Sequence, residues 1–176
     1  MGLSGIQVKS SSSAALSLLE CVNTFEQVKE QHAALKARLD DLLQTIEWDP
    51  NGSAYVECSA ALDLAKDKFI AFMEDVERYL AREERSLFPV ARPQTGGAMG
   101  PVNVLVQDHV LAKEFFGEFL EKNRRYELTG EYKDAEEALT YLMQLLMIVS
   151  EHLRVEEDVL FPTTERLMED IEHNGL

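Results

Sequence analysis

Cysteine is nearly absent from this chain: Cys21 and Cys58 are the only two in 176 residues, and neither stands in a C-x-x-C pair. A disulfide framework is not expected, and both thiols read as core filler in a reducing cytoplasm. Positive charge is scarce too. Lys and Arg number 17 against 32 Asp and Glu, giving a net charge of −15 and a pI near 4.6. Such a balance argues against nucleic acid and anionic membranes as partners. Long apolar runs are missing, because charges interrupt them every few residues, and no segment reads as membrane-spanning. The opening MGLSGIQVKSSSSAA lacks a signal-peptide core, and Ile6 breaks the myristoylation pattern that its Met-Gly start would need. Its serine run reads as a flexible leader over residues 1–13, ahead of one soluble domain over 14–176.

Strand patterns are missing as well, and helical periodicity fills four long stretches. The first runs from about Ala14 to Glu47, with Phe25, Val28, Leu35, Leu39, Leu42 and Ile46 apolar. The turn Asp49-Pro50-Asn51-Gly52 stops it, and Ser53 caps the second helix. That helix runs to about Phe88 through Leu62, Phe69, Phe72, Val76 and Leu87, and Pro89 is expected to end it. After a loop rich in glycine and proline, Pro101 opens a third helix that reaches Tyr126 and breaks at Thr129-Gly130. The fourth covers about Glu131 to Phe161, ends at Pro162, and is followed by a tail helix from Thr163 to Glu172. Short connections between long amphipathic helices give an all-α fold, an antiparallel up-down four-helix bundle with a short C-terminal helix.

What the chain does have is a repeat. Residues 79–89 read YLAREERSLFP and residues 152–162 read HLRVEEDVLFP, identical at six of eleven positions. Each block follows a single histidine, His32 or His109, by a helix and a loop, so the chain is a duplicated helix pair. On the apolar stripes, His32 joins positions 25, 28, 35 and 39, while Tyr79 and Glu83 join 72, 76 and 87. His109 joins 102, 105, 112 and 116, and His152 and Glu156 join 145, 149 and 160. Residues four apart project from one helix face, so His152 and Glu156 can serve one site, and so can Tyr79 and Glu83.

An unpaired buried carboxylate costs on the order of several kcal/mol, and two converging on one core repel further in low dielectric. A cation between the helices resolves both problems. Mixed imidazole and carboxylate ligation suits iron or manganese, and zinc less exclusively. One histidine on an apolar stripe is ordinarily a satisfied core residue; three, with two glutamates at duplicated spacing, read as a metal site. Glu84 and Glu157 read as solvated helix-face charges, with a role in orienting or extending the site as the second reading. The Leu-Phe-Pro endings read as core plugs and helix stops, and His173 as a bystander.

These residues resemble the hemerythrin-like family, the HHE cation-binding domain, across nearly the whole chain. The family pattern is a histidine on the first helix, H-xxx-E on the second ending near Leu-Phe-Pro, a histidine on the third, and H-xxx-E on the fourth. His32, Glu83, His109, and His152 with Glu156 match it, and Gly100-Pro101 and the QDH around His109 also look typical. Tyr79 departs from it, standing where the second helix's histidine belongs. The resemblance implies a non-haem iron site, usually di-iron with carboxylate bridges, with Glu83 and Glu156 as the bridging candidates. Tyr79 then leaves three arrangements open: a phenolate ligand favouring ferric iron, a position free for water or a small ligand, or one metal in place of two. As core filler it would simply hydrogen-bond nearby.

The resemblance implies a cytosolic iron protein that binds or reacts with O2, NO or peroxide in a redox, sensing or stress role. The tyrosine weighs against reversible oxygen carriage. Iron binding or sensing without catalysis, an oxidoreductase with its own substrate, and a structural zinc bundle are the competing classes, with zinc or manganese as alternative cofactors. No organic substrate pocket is legible, and no protein partner is identified.

Overall fold

A computed structural model describes residues 7–46, 54–97 and 100–174. Helix α1 spans Gln7–Thr45 and α2 spans Ala54–Arg82, followed by a π-helical turn, Glu83–Leu87, and the short α3, Phe88–Ala91. Helix α4 spans Pro101–Thr129 and α5 spans Tyr132–Val155; a second π-helical turn, Glu156–Leu160, leads into α6, Phe161–Asn174. No strand occurs among the described residues. Helices α1 and α2 pair, α4 and α5 pair, and α5 also packs on α1 and α2, which makes the expected four-helix bundle. Its core is the expected stripes: Phe25, Val28, Leu35, Phe72, Val76, Leu105, Leu145 and Val149 are all buried. Phe116 is only half-buried, covering the core from its edge. Among the described residues no helix is long and apolar enough to cross a membrane.

Helix α1 starts at Gln7 rather than near Ala14, so the serine run is helical. Residues 1–6 of the expected leader, the Asp49–Gly52 turn with Ser53, and the side chains of Cys21 and Cys58 lie outside the described residues. The third helix ends as expected, at Gly130, whose φ of 67° closes α4 and leaves only Glu131 before α5.

Neither proline stops its helix, contrary to the sequence expectation. The chain stays helical through Pro89 to Ala91 and through Pro162 to Asn174, so the tail helix runs on from the fourth. The reason lies one turn earlier. The Phe88 amide donates to the Glu83 carbonyl and the Phe161 amide to the Glu156 carbonyl, each five residues back, and the widened π turn gives the proline ring room. Carbonyls around the turns take side-chain donors: Ser86 Oγ donates to the Arg82 oxygen at 2.6 Å and Thr164 Oγ1 to the Leu160 oxygen at 2.9 Å. The Leu-Phe pairs do plug the core, as Leu87, Phe88, Leu160 and Phe161 are all buried.

At Gly100 the absence of a side chain is required. A Cβ there would sit 1.8 Å from the Thr95 carbonyl oxygen, so the loop and the start of α4 could not keep their contact. We expect Gly100→Ala to cost about 1–3 kcal/mol, read as a melting temperature lower by roughly 2–4 °C per kcal/mol. An unchanged melting temperature would mean that the loop is free to move.

Candidate metal centre

Each helix pair delivers its polar residues to one end of the bundle. His32 comes from α1, Tyr79 and Glu83 from the end of α2 and its π turn, His109 from α4, and His152 and Glu156 from the end of α5 and its π turn. All six are buried, and both glutamates are at 0 % exposure. They meet. His152 Nε2 lies 3.2 Å from Glu83 Oε2 and 3.1 Å from Glu156 Oε1, and His109 Nε2 lies 3.5 Å from Glu83 Oε2. On the other side, Tyr79 donates its hydroxyl hydrogen to Glu156 Oε2 at 2.7 Å, and His32 Nε2 lies 3.6 Å from that same oxygen. His32 Nε2 also lies 3.1 Å from the Leu153 carbonyl oxygen. Glu156 therefore turns one oxygen to each side of the cluster.

The donor set fits a metal ion. Ligand atoms bound to one ion at about 2.0–2.2 Å come to rest roughly 3 Å apart, and the spacings above are of that size. Ligand atoms of Glu83, His109 and His152 all lie within 4.8 Å of one another, a group able to hold a cation. Several of these buried atoms have no hydrogen-bond partner: Glu83 Oε1, Glu156 Oε1 and His109 Nε2. A folded core rarely leaves such groups unsatisfied.

Electrostatics agree. Burial, then the charge of Glu156, pushes the Glu83 carboxyl well above its ordinary range. Burial would raise Glu156 as well, but its close neighbours Glu83 and His152 and the Tyr79 hydroxyl outweigh it and hold Glu156 low. The opposite shifts are those of two buried carboxylates that favour holding one proton between them rather than two charges. Burial opposes charge on His152, yet the surrounding carboxylates of Asp108, Glu156 and Glu83 raise it well above the usual histidine range. Burial lowers His109 despite its bond to Glu84. The Tyr79 phenol is pushed well up by burial and by the charges of Glu156 and Glu83.

Two residues stand beside the ligand candidates with more than the role expected of them. Glu84, expected mainly as a solvated charge, accepts a hydrogen bond from His109 Nδ1 at 2.6 Å, which turns that ring's Nε2 toward Glu83. Asp108 Oδ2 lies 3.6 Å from His152 Nδ1. The doubled Glu-Glu of the repeat and the QDH triplet were the signals available in the sequence. The plugs also act on the site: Phe88 stacks on His109 at 5.2 Å between ring centres, and Phe161 sets its edge on His32 at 5.0 Å. His173 is exposed, with Nδ1 2.8 Å from its own helix's Glu169 oxygen, away from the cluster.

A family model described as the hemerythrin HHE cation binding domain matches residues 23–164, which include all six ligand candidates. No curated protein matches the chain. No solved structure matches it either.

Proposed function

The chain belongs to the hemerythrin HHE cation-binding family, and from that premise we propose that its buried centre holds two iron ions and reacts with a small ligand, O2, NO or peroxide. Glu83, His109 and His152 would hold one ion, and His32, Tyr79 and Glu156 the other. The observation that carries the two-ion reading is Glu156, whose Oε1 faces His152 while Oε2 faces Tyr79 and His32. Iron suits a set of three imidazoles, two carboxylates and a phenol, all nitrogen and hard oxygen, better than a thiolate-preferring ion. When bound, iron would supply one-electron redox chemistry and affinity for dioxygen-like ligands.

The size of the adjoining cavity favours a small ligand. It measures about 10 Å³ and is lined by Leu35, Val76, Leu80 and Ala112, with Tyr79, His109 and His152 on its wall. That is room for roughly one water-sized molecule and not for an organic substrate. Its lining is apolar apart from the site's own side chains and Asp108.

Tyr79 tilts the chemistry away from reversible oxygen carriage. An adjacent cation reverses the effect of burial on a phenol, because the ion's charge dominates the local field. Tyr79 then becomes a hard anionic oxygen, which favours the ferric state. Ferric protein is expected to show a visible phenolate-to-iron absorption that Tyr79→Phe removes. A Tyr79→Phe spectrum identical to the wild type would exclude the phenolate, and absence of iron from the wild type would remove the whole reading.

A further inference from the structure

The repeat supplies an internal control for the two halves of the centre: the surrounding residues are partly the same, but their contacts with the ligand candidates differ. His109 and Glu84 in one half correspond to His32 and Glu157 in the other. Glu84 Oε1 lies 2.6 Å from His109 Nδ1, whereas Glu157 Oε1 lies 3.9 Å from His32 Nδ1. The cause of the gap is visible: Lys36 Nζ contacts both oxygens of Glu157, at 2.7 and 2.7 Å. The counterpart lysine, Lys113, stands four residues after His109 as Lys36 does after His32, and it acts on Glu84 through its charge without the direct ion pair that Lys36 makes. The residue preceding each histidine differs too. Asp108 brings a carboxylate to 3.6 Å from His152 Nδ1, while its counterpart is the uncharged Gln31; both His152 Nδ1 and Gln31 Oε1 are buried without a hydrogen-bond partner. Gln31 and Tyr79, the counterpart of His152, line the same groove between α1 and α2.

A carboxylate on the far nitrogen of an imidazole fixes the ring and makes it a better donor, and its loss typically weakens metal binding about 10–100-fold. Resting on the two-ion reading above, we propose that the two positions are unequal. The Glu83–His109–His152 position fills first and holds its ion tightly, oriented by Glu84 and Asp108. The His32–Tyr79–Glu156 position fills second and exchanges readily, because Lys36 withdraws Glu157 from His32. Glu84 and Lys36 are positioning residues, acting through histidines they do not replace.

The test is titration of chelator-treated, full-length protein with cobalt(II) alone, followed by calorimetry and visible absorption. Two phases are expected, with dissociation constants at least tenfold apart. Glu84→Gln should weaken the first phase about 10–100-fold and Lys36→Gln should tighten the second about tenfold. If Glu84→Gln fails to fold, Lys36→Gln still decides, since that side chain is half-exposed on α1. Two ions bound with equal affinity, one ion only, or a second phase unmoved by Lys36→Gln would each overturn the inequality and leave metal binding intact. No cobalt bound at all would instead overturn the metal centre itself.

Discussion

Replacing Glu83 by glutamine is expected to move stability in opposite directions with and without metal. In the chelated protein this carboxyl is fully buried beside a second carboxylate, and burial together with the Glu156 charge makes its ionised form unfavourable. A neutral amide of the same shape has no proton to take up on folding, so the chelated variant is expected to be at least as stable as the wild type. In the loaded protein the same change removes an anionic ligand close to both His109 and His152. Metal affinity should fall by more than about 100-fold, which at saturating metal costs about 2.7 kcal/mol of linked stability. The check is a pair of melting curves, chelated and metal-saturated, for wild type and Glu83→Gln. Equal shifts in both conditions would make Glu83 a structural acid with no part in a metal site.

The chelated protein is also expected to lose stability as pH rises from 7 to 9. Glu83 and His152 both have folded pKa values raised above their unfolded ones, Glu83 by burial and Glu156, His152 by its carboxylate partners against the opposing effect of burial. A group raised on folding contributes its stability fully below the unfolded pKa and loses it as pH climbs through the folded pKa. Above pH 7 the unfolded chain has largely lost both protons, so each proton the folded state still holds lowers stability by as much as about 1.4 kcal/mol per pH unit. His109 is lowered on folding, so its contribution is fully present above about pH 6.5 and changes only below it, outside this window. Tyr79 is raised, and its contribution is lost only above about pH 10. The window from 7 to 9 therefore isolates the cluster. Saturating metal should flatten the profile, because the ion takes the place of the shared protons. A chelated protein whose melting temperature rises or stays level across this window would contradict the shared-proton arrangement.

Most of the site was legible because helical spacing is a rigid ruler. Positions 32, 83, 109, 152 and 156 fall on apolar stripes, and a stripe position in a bundle is a buried position. The repeat then related one half of the site to the other. What escaped the sequence depends on neighbours across helices. Pro89 and Pro162 read as stops by the local rule that a proline breaks a helix, and the π turns at Glu83 and Glu156 override it. Glu84 reads as a surface charge because nothing in its own helix places His109 Nδ1 against it. The withdrawal of Glu157 by Lys36 is a contact between residues 121 positions apart, invisible to any periodicity. Tyr79 marked the asymmetry from the start, but its hydroxyl partner, Glu156, comes from the other repeat.

Iron per chain, measured by elemental analysis after anaerobic reconstitution at saturating iron and removal of the excess, tests the centre most directly. Two ions per chain are expected for the wild type, with both His152→Ala and Glu156→Ala losing metal and thermal stability together. A wild type that retains no iron, or variants that keep a full complement with unchanged melting, would contradict a metal centre built from these six side chains.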